Sequence, residues 1–269
     1  ARTAPPAAAP VPAGMPAGGT LPGRILTGTS GFAYPEWAPR FYRPDTRADR
    51  LLPAYAERLE ACELNNTFYQ RPAPDRIARW VADTPPGFRF SVKAQRASSV
   101  RALRGDPVAA IGWLVEPLPA FGQRLGTVLF RIPAELQRDD ARLAAMLAAW
   151  PAGLPLTMEF QHPSWRMDEV HALLRAAGAA LCATDLDEEP EPPPLDLTGR
   201  LLYLRLRRAT YADAELAAWA ERIAPFVSAG VDVYAFFRHD QDGTSAIRAI
   251  ALREAVLARV AHQAAGSPS

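Results

Sequence analysis

Eight short strand-like segments recur along the chain, and most are separated by amphipathic stretches typical of helices. The strand candidates lie at 24–28, 61–65, 88–93, 127–132, 156–160, 180–185, 201–207 and 232–239. The helix candidates lie at 50–59, 75–82, 139–150, 168–177, 213–227 and 243–261, and residues 107–122 indicate a helix that is interrupted by two prolines. Strands that alternate with helices form parallel sheets, so this order predicts a single TIM-type (β/α)8 barrel.

A doubly wound open sheet is the alternative fold, but it would place a glycine-rich dinucleotide turn after the first strand. The segment GTSGF at 28–32 is not such a turn. Residues 187–199 are rich in acidic residues and proline, so we expect a loop instead of a helix after the sixth strand. Residues 1–22, mostly Ala, Pro and Gly, predict a disordered tail; the barrel spans 23–263, and 264–269 form a frayed terminus.

Composition argues against several classes of protein. The formal net charge of +1 gives no global attraction to nucleic acid or acidic membranes, so any such attraction must be local. No apolar run is long enough to span a membrane. Cys62 and Cys182 are far apart, and residues 1–22 lack the apolar segment of a secretory signal. These features predict a cytoplasmic protein, and they give no indication of its oligomeric state.

Several motifs resemble one family. They are GTSGFAYPEW at 28–37, ELNNTFYQRP at 63–72, RWVADTPPGFRFSVKA at 79–94, EFQHPSW at 159–165 and YAFFRHDQDG at 234–243. Together they identify the chain as similar to the YecE-like family, domain of unknown function 72, over essentially the whole folded part. The resemblance implies a TIM-type barrel, in agreement with the strand count, and it implies no particular reaction.

Alternation along the strands predicts which side chains face the barrel interior, because the residues that face the helices are apolar. In the seventh strand Leu202, Leu204 and Leu206 face the helices. The polar and charged residues assigned to the interior are Glu63, Asn65, Lys93, Arg131, Glu159, Asp185, Arg205, Arg207 and Arg238. The eighth strand is apolar on both faces, so Arg238 faces inward in one of two alternatives. These charges lie at the carboxyl ends of their strands, where barrel enzymes hold their sites.

The interior set contains three carboxylates and five cationic groups. Buried charges are costly unless they are paired or meet a ligand, so a surplus of about two positive charges predicts an anionic ligand. Two turns, at 28–31 and 242–245, could add backbone N–H groups for a phosphate, although ordinary helix capping is the favoured explanation of each. Loop aromatics, among them Tyr34, Trp37, Tyr69 and Trp165, either stack on a substrate ring or pack as a lid.

The first hypothesis is an enzyme, a hydrolase or lyase, that acts on a phosphate-bearing substrate such as a nucleotide or nucleic acid. Its catalytic candidates are Glu159, Glu63, Lys93 and Asp185, and the interior arginines with Asn65 bind the substrate. Lys93 is the one lysine of the chain, and we interpret it as an anion-binding charge, with a Schiff-base or acid–base role as alternatives.

Two other functions remain open: a non-catalytic binding module for nucleic acid or a phosphorylated ligand, and a carbohydrate-active hydrolase, which the positive interior disfavours. No cofactor is predicted. A Mg²⁺ ion held by the three interior carboxylates is the alternative.

Overall fold

The computed structural model describes residues 21–68 and 71–266, which form a barrel of eight parallel strands with helices outside it. The strands are β1 (Ile25–Thr29), β2 (Ala61–Leu64), β3 (Arg89–Lys93), β4 (Leu125–Ile132), β5 (Leu156–Phe160), β6 (Ala180–Asp185), β7 (Leu201–Leu206) and β8 (Asp232–Phe237). The α-helices are α1 (Leu51–Ala56), α2 (Pro74–Ala82), α3 (Arg96–Arg104), α4 (Pro107–Val115), α5 (Asp140–Ala148), α6 (Asp168–Ala177), α7 (Asp213–Ser228) and α8 (Thr244–Gly266). The predicted TIM-type barrel is confirmed.

The predicted termini fall mostly beyond the described residues. Residues 1–20 and 267–269 lie outside them, as does Tyr69. Helix α8 continues to Gly266, so residues 264–266, which were expected to fray, are helical. Among the described helices, none combines the length and the apolar character that crossing a bilayer requires.

Two separate apolar clusters reflect the alternation along the strands. The larger one fills the space between strands and helices. The smaller one fills the barrel interior and consists of Leu26, Ala61, Leu129, Cys182, Tyr203, Tyr234 and Phe236. Tyr203, Tyr234 and Phe236 therefore point into the barrel. Charged residues lie above this apolar layer, toward the carboxyl ends of the strands.

The barrel closes imperfectly between β1 and β2, where the two strands share only the bridge between Ser30 and Glu63. The hydroxyl of Tyr55, on α1, fills the gap. It accepts a hydrogen bond from the Thr29 N–H at 2.8 Å and donates one to the Ala61 carbonyl at 3.0 Å. Gly28 permits this close approach, because a Cβ there would lie 1.9 Å from the Ala61 oxygen. A side chain thus replaces part of the ladder and satisfies buried backbone groups.

A second irregularity lies between β5 and β6, whose ladder contains only the pairs Thr157 with Ala180 and Met158 with Leu181. Both strands continue beyond this point but separate. The segment after β6, residues 186–200, is an irregular loop and not a helix, as its acidic and proline-rich sequence predicts. The helix layer is therefore interrupted next to the place where the strands part.

Candidate functional site

Arg205, on β7, is the centre of a buried ionic cluster at the carboxyl end of the barrel. It is only 2% exposed and lies between the carboxylates of Glu63 and Glu159. Its Nε and Nη2 donate to the Glu63 oxygens at 2.9 and 2.8 Å. Its Nη1 donates to both Glu159 oxygens, at 2.8 and 2.9 Å. The planar guanidinium thus holds together three strands, β2, β5 and β7.

Both carboxylates accept further hydrogen bonds. Glu63 accepts from the Tyr203 hydroxyl at 2.9 Å and from the Ser30 hydroxyl at 2.8 Å. Glu159 accepts from the Thr184 hydroxyl at 3.1 Å. Burial opposes ionisation of these acids, but Arg205 and its cationic neighbours outweigh it. The pKa of Glu63 is lowered to about 2 and that of Glu159 is also lowered, so both remain ionised at neutral pH.

These carboxylates are poorly suited to the acid–base role considered for them. A general acid needs a raised pKa, and a glycosidase needs one carboxylic acid that carries a proton. Glu63 and Glu159 instead have lowered pKa values and are engaged with one arginine. Their role in the structure is to anchor Arg205.

Three more cationic side chains lie around Glu63 and Glu159. Arg131 Nε lies 3.0 Å from Glu159 Oε2, an ion pair whose angle does not make a hydrogen bond. Arg207 Nη1 donates to the Ser30 hydroxyl at 3.1 Å. Lys93 is 8% exposed at the end of β3. Together with Arg205 they place four formal positive charges beside two carboxylates. This set differs from the predicted one, which also contained Asp185 and Arg238.

Two of the four cations, Lys93 and Arg207, have lowered pKa values. Burial and the nearby Arg205 lower the pKa of Lys93 to about 8, although Glu63 and Glu159 act in the opposite direction. The same two causes lower the pKa of Arg207 to about 10. A cation whose pKa falls in this way is in a place that disfavours its charge, and an anionic ligand would relieve that cost.

Asp185 does not belong to this cluster, and its predicted inward orientation is wrong. Its carboxylate accepts from Arg208 Nε at 2.9 Å and from the Tyr211 hydroxyl at 2.8 Å, outside the strands. In β6 the inward side chains are Cys182 and Thr184, one residue out of phase with Asp185. Alternation assigned from the charge of Asp185 gave the wrong face, because the short apolar residues of β6 do not distinguish the two.

The orientation of Asp185 also argues against the Mg²⁺ site considered from the sequence. It required Glu63, Glu159 and Asp185 to converge, but Asp185 faces the helix layer and the other two bind Arg205. Among the described residues, no group of three or more His, Cys, Asp and Glu side chains is arranged to hold a metal ion. The side chains present do not fit this ion.

Of the loop aromatics, two are buried core residues. Trp37 is completely buried and its Nε1 donates to the Asp240 carbonyl at 2.9 Å. Trp165 is 1% exposed and its Nε1 donates to the Leu136 carbonyl at 2.8 Å. Tyr34 is partly exposed and stacks on His239 with ring centroids 5.0 Å apart. Tyr69 lies outside the described residues.

The two outer members of the predicted set lie at the rim. Asn65 is half-buried directly after β2, and its Oδ1 accepts no hydrogen bond from the residues described. Arg238 is exposed directly after β8. The ligand-contacting role of Asn65 stays a prediction.

Neither of the two turns offers its backbone to an anion. The N–H groups of Thr29, Ser30 and Gly31 donate to the Tyr55 hydroxyl, the Phe237 carbonyl and the Glu63 carbonyl.

At the start of α8, the N–H groups of Gly243 and Ser245 donate to the Asp240 carboxylate, and that of Thr244 donates to Asp242. Ordinary capping explains this turn, so an anion would be bound by side chains.

Sequence reasoning missed several members of the cluster. Ser30 and Thr184 are small hydroxyl residues that carry no charge signal, yet they orient Glu63 and Glu159. Ser30 could have been found from β1, because it follows the inward Leu26 and Gly28 at even spacing. Thr184 follows Cys182 in the same way.

Comparison with known proteins supports the resemblance seen in the motifs. Residues 26–269 match the model of a family described as "Protein of unknown function DUF72". The chain belongs to this family. It is similar to the UPF0759 protein YunF of Bacillus subtilis, with 23% identity over 132 residues, which cover 46% of this chain and 47% of that protein. The match thus spans about half the length of that relative.

Two solved DUF72 structures share the fold. One, from Enterococcus faecalis V583, has a TM-score of 0.70 and 18% identity and covers 87% of this chain and 96% of its own. The other, from Thermotoga maritima MSB8, has a TM-score of 0.70 and 24% identity and covers 86% of this chain and 98% of its own. At such identity the likeness concerns the barrel alone.

Proposed function

We propose that this DUF72 protein is a barrel enzyme that binds a phosphate-bearing substrate at the carboxyl end of its strands. The observation that carries the proposal is an excess of cations among the described residues: Lys93, Arg131, Arg205 and Arg207, all buried or half-buried, lie around Glu63 and Glu159. A net positive charge in a poorly solvated place is costly, and a dianion that fits there would offset the cost.

Within this site the roles divide according to what each cation touches. Arg205 is fully engaged by two carboxylates and holds them in place. Arg131 and Arg207 retain N–H groups beyond the contacts described above and would bind the phosphate oxygens. Lys93 would contribute both a charge and, with a pKa of about 8, a proton that can be transferred near neutral pH.

A carbohydrate-active hydrolase is not supported by this geometry, because both buried carboxylates are held ionised by the same arginine. A phosphate-binding module without catalysis shares the same anion site. Lys93 distinguishes the enzyme from the binding module. Phosphate binding requires only the positive charge of Lys93, whereas catalysis by proton transfer requires that Lys93 lose its proton.

The first test measures binding of inorganic phosphate by calorimetry to the native protein and to Arg207→Gln and Lys93→Met. Each variant is expected to bind at least about tenfold more weakly, since one charge-assisted contact is worth roughly 1.5–3 kcal/mol. The matched control is Arg79→Gln, which removes the same charge from an exposed position on α2. Equal affinity in all four proteins would refute the anion site.

The second test screens phosphate monoesters and diesters for turnover, with Lys93→Arg as the diagnostic variant. Arginine keeps the charge but cannot lose its proton near neutral pH. Retained phosphate binding with lost turnover supports catalysis by Lys93. If the native protein binds phosphate but turns over none of the esters, the binding module is the better interpretation.

A further inference from the structure

A cavity of about 510 Å³ occupies the place where β5 and β6 separate. The ladder between these strands ends at Met158 and Leu181, although β5 continues to Phe160 and β6 to Asp185. We call this cavity the β5–β6 cleft. It is lined on the strand side by Phe160, Leu181, Ala183 and Thr184 and on the outer side by the loop after β6.

The cleft exists because the chain has no helix after β6. In a regular barrel a helix covers each strand from outside. Here Leu186 and the run Pro192, Pro193 and Pro194 form the outer wall instead. Proline restricts the backbone of this loop, so the wall is stiffer than an ordinary loop of the same length.

The inner end of the cleft is the ionic cluster itself. Arg131, Glu159 and Thr184 line the cleft, and the same three residues take part in the network around Arg205. A molecule in the cleft would therefore touch the anion site without leaving the cavity. The cleft is a side opening of the barrel toward its functional end.

The remaining lining is suited to an uncharged, flat group. Phe160 is half-buried and stacks on Trp165 with ring centroids 4.7 Å apart. At the outer edge Arg166 lies 2.9 Å from Glu189, and Glu191 and Asp196 add two more carboxylates, so this edge is acidic. An apolar wall, an acidic outer edge and a cation at the inner end fit a ligand whose apolar end lies in the cleft and whose anionic end points inward to Arg131.

We propose that the β5–β6 cleft binds an aromatic or other apolar ring of the substrate, whose phosphate is held by Arg131, Arg207 and Lys93. This inference rests on the proposed function and deepens it, because it assigns the substrate class as a ring-bearing phosphate ester. The volume of about 510 Å³ falls within the range of small-molecule sites and exceeds what a phosphate alone would need.

The test compares methyl phosphate and phenyl phosphate, which carry the same anionic group and differ in the ring. Binding of both is measured by titration calorimetry on the native protein. Phenyl phosphate is expected to bind at least about tenfold tighter, a difference of about 1.4 kcal/mol. Arg131→Gln is expected to weaken both esters, because it removes the group that the two subsites share.

Two variants fill the cleft: Ala183→Leu in its wall and, should that variant not fold, Leu186→Trp at its edge. Each is expected to abolish the advantage of phenyl phosphate while methyl phosphate binds as before. The matched control is Ala217→Leu, on the exposed face of α7, which should retain the advantage.

The outcomes separate the two proposals. If methyl phosphate binds and phenyl phosphate binds no better, the ring subsite is refuted and the anion site stands. If the advantage of phenyl phosphate persists in both filled variants, the ring lies elsewhere and the cleft assignment is wrong. If neither ester binds the native protein, the anion site fails and the cleft inference fails with it.

Discussion

Replacing Glu63 by glutamine removes one negative charge from the ionic cluster and leaves its shape almost unchanged. Glu63 is completely buried, and its two oxygens accept four hydrogen bonds. Two of the donors are N–H groups of Arg205, one on each oxygen. Whichever way a glutamine amide turns, its NH₂ group meets an arginine N–H, so one donor pair must clash or separate.

The loss in the free energy of unfolding caused by Glu63→Gln can be derived in two ways. Removing one partner of a buried ion pair typically costs about 3–5 kcal/mol, because the remaining charge stays buried. The pKa of Glu63 falls from its usual 4.5 to about 2, which corresponds to roughly 3 kcal/mol of preference for the ionised form in the fold. Both indicate that Glu63→Gln lowers the free energy of unfolding by roughly 3–5 kcal/mol at pH 7.

The effect must depend on pH in a definite direction. A carboxyl whose pKa is lowered by folding contributes its full stabilisation above its unfolded pKa, and the contribution is lost as the pH falls toward the folded pKa. For Glu63 this window runs from 4.5 down to about 2. The charge-dependent part of the difference between native and variant should therefore shrink to roughly half by pH 3.

Urea denaturation of the native protein and Glu63→Gln at pH 7, 5, 4 and 3 measures both effects. The control is Glu221→Gln, an exposed glutamate on α7, which should change stability by less than about 0.5 kcal/mol. A loss below about 1 kcal/mol at pH 7 would refute the anchoring role of Glu63. A difference that grew as the pH fell would refute the lowered pKa.

Three further predictions concern other parts of the cluster and the barrel. Phosphate affinity should fall as the pH rises through about 8, because Lys93 loses its charge there, and Lys93→Met should remove this step in calorimetric titrations. Tyr55→Phe should lower the free energy of unfolding by roughly 2–3 kcal/mol in urea denaturation, because it removes the hydroxyl that bonds the buried Thr29 N–H and Ala61 carbonyl. Tyr234→Phe is the matched control, and an equal loss in both variants would contradict the bridging role of Tyr55. Asp185→Asn should destabilise the protein by roughly 1–3 kcal/mol, because it weakens the hydrogen bonds from Arg208 and Tyr211. Phosphate affinity should stay within about twofold of the native value, and a larger loss would mean that Asp185 does contribute to the anion site.

The fold and the centre of the site could be predicted from the sequence for a simple physical reason. The alternation of strand and helix periodicities is a local property of the sequence. In β7 the two faces are easily distinguished, because leucines alternate with Tyr203 and Arg205. Glu63, Lys93, Arg131 and Glu159 follow the same pattern on their own strands. The surplus of positive charge at the carboxyl end was therefore visible before any packing was known.

The sequence assigned the wrong face to Asp185 and left other residues open between two environments. Asp185 satisfies the alternation of β6 on either face, and only the placement of Arg208 and Tyr211 decides that it faces outward. An aromatic residue in a loop can contact a ligand or pack in the core, and both Trp37 and Trp165 pack in the core. The backbone turns are capped by acceptors that come from distant parts of the chain.

The sequence by itself determined a (β/α)8 barrel, the loop after the sixth strand and an excess of cations at one end, because each depends on local periodicity and composition. Only the tertiary structure decided that Glu63 and Glu159 share Arg205, and that β5 and β6 part to open a cleft beside them. Those features depend on which residues from separate strands meet, and a one-dimensional pattern does not encode the distances and angles that direct a guanidinium to two carboxylates.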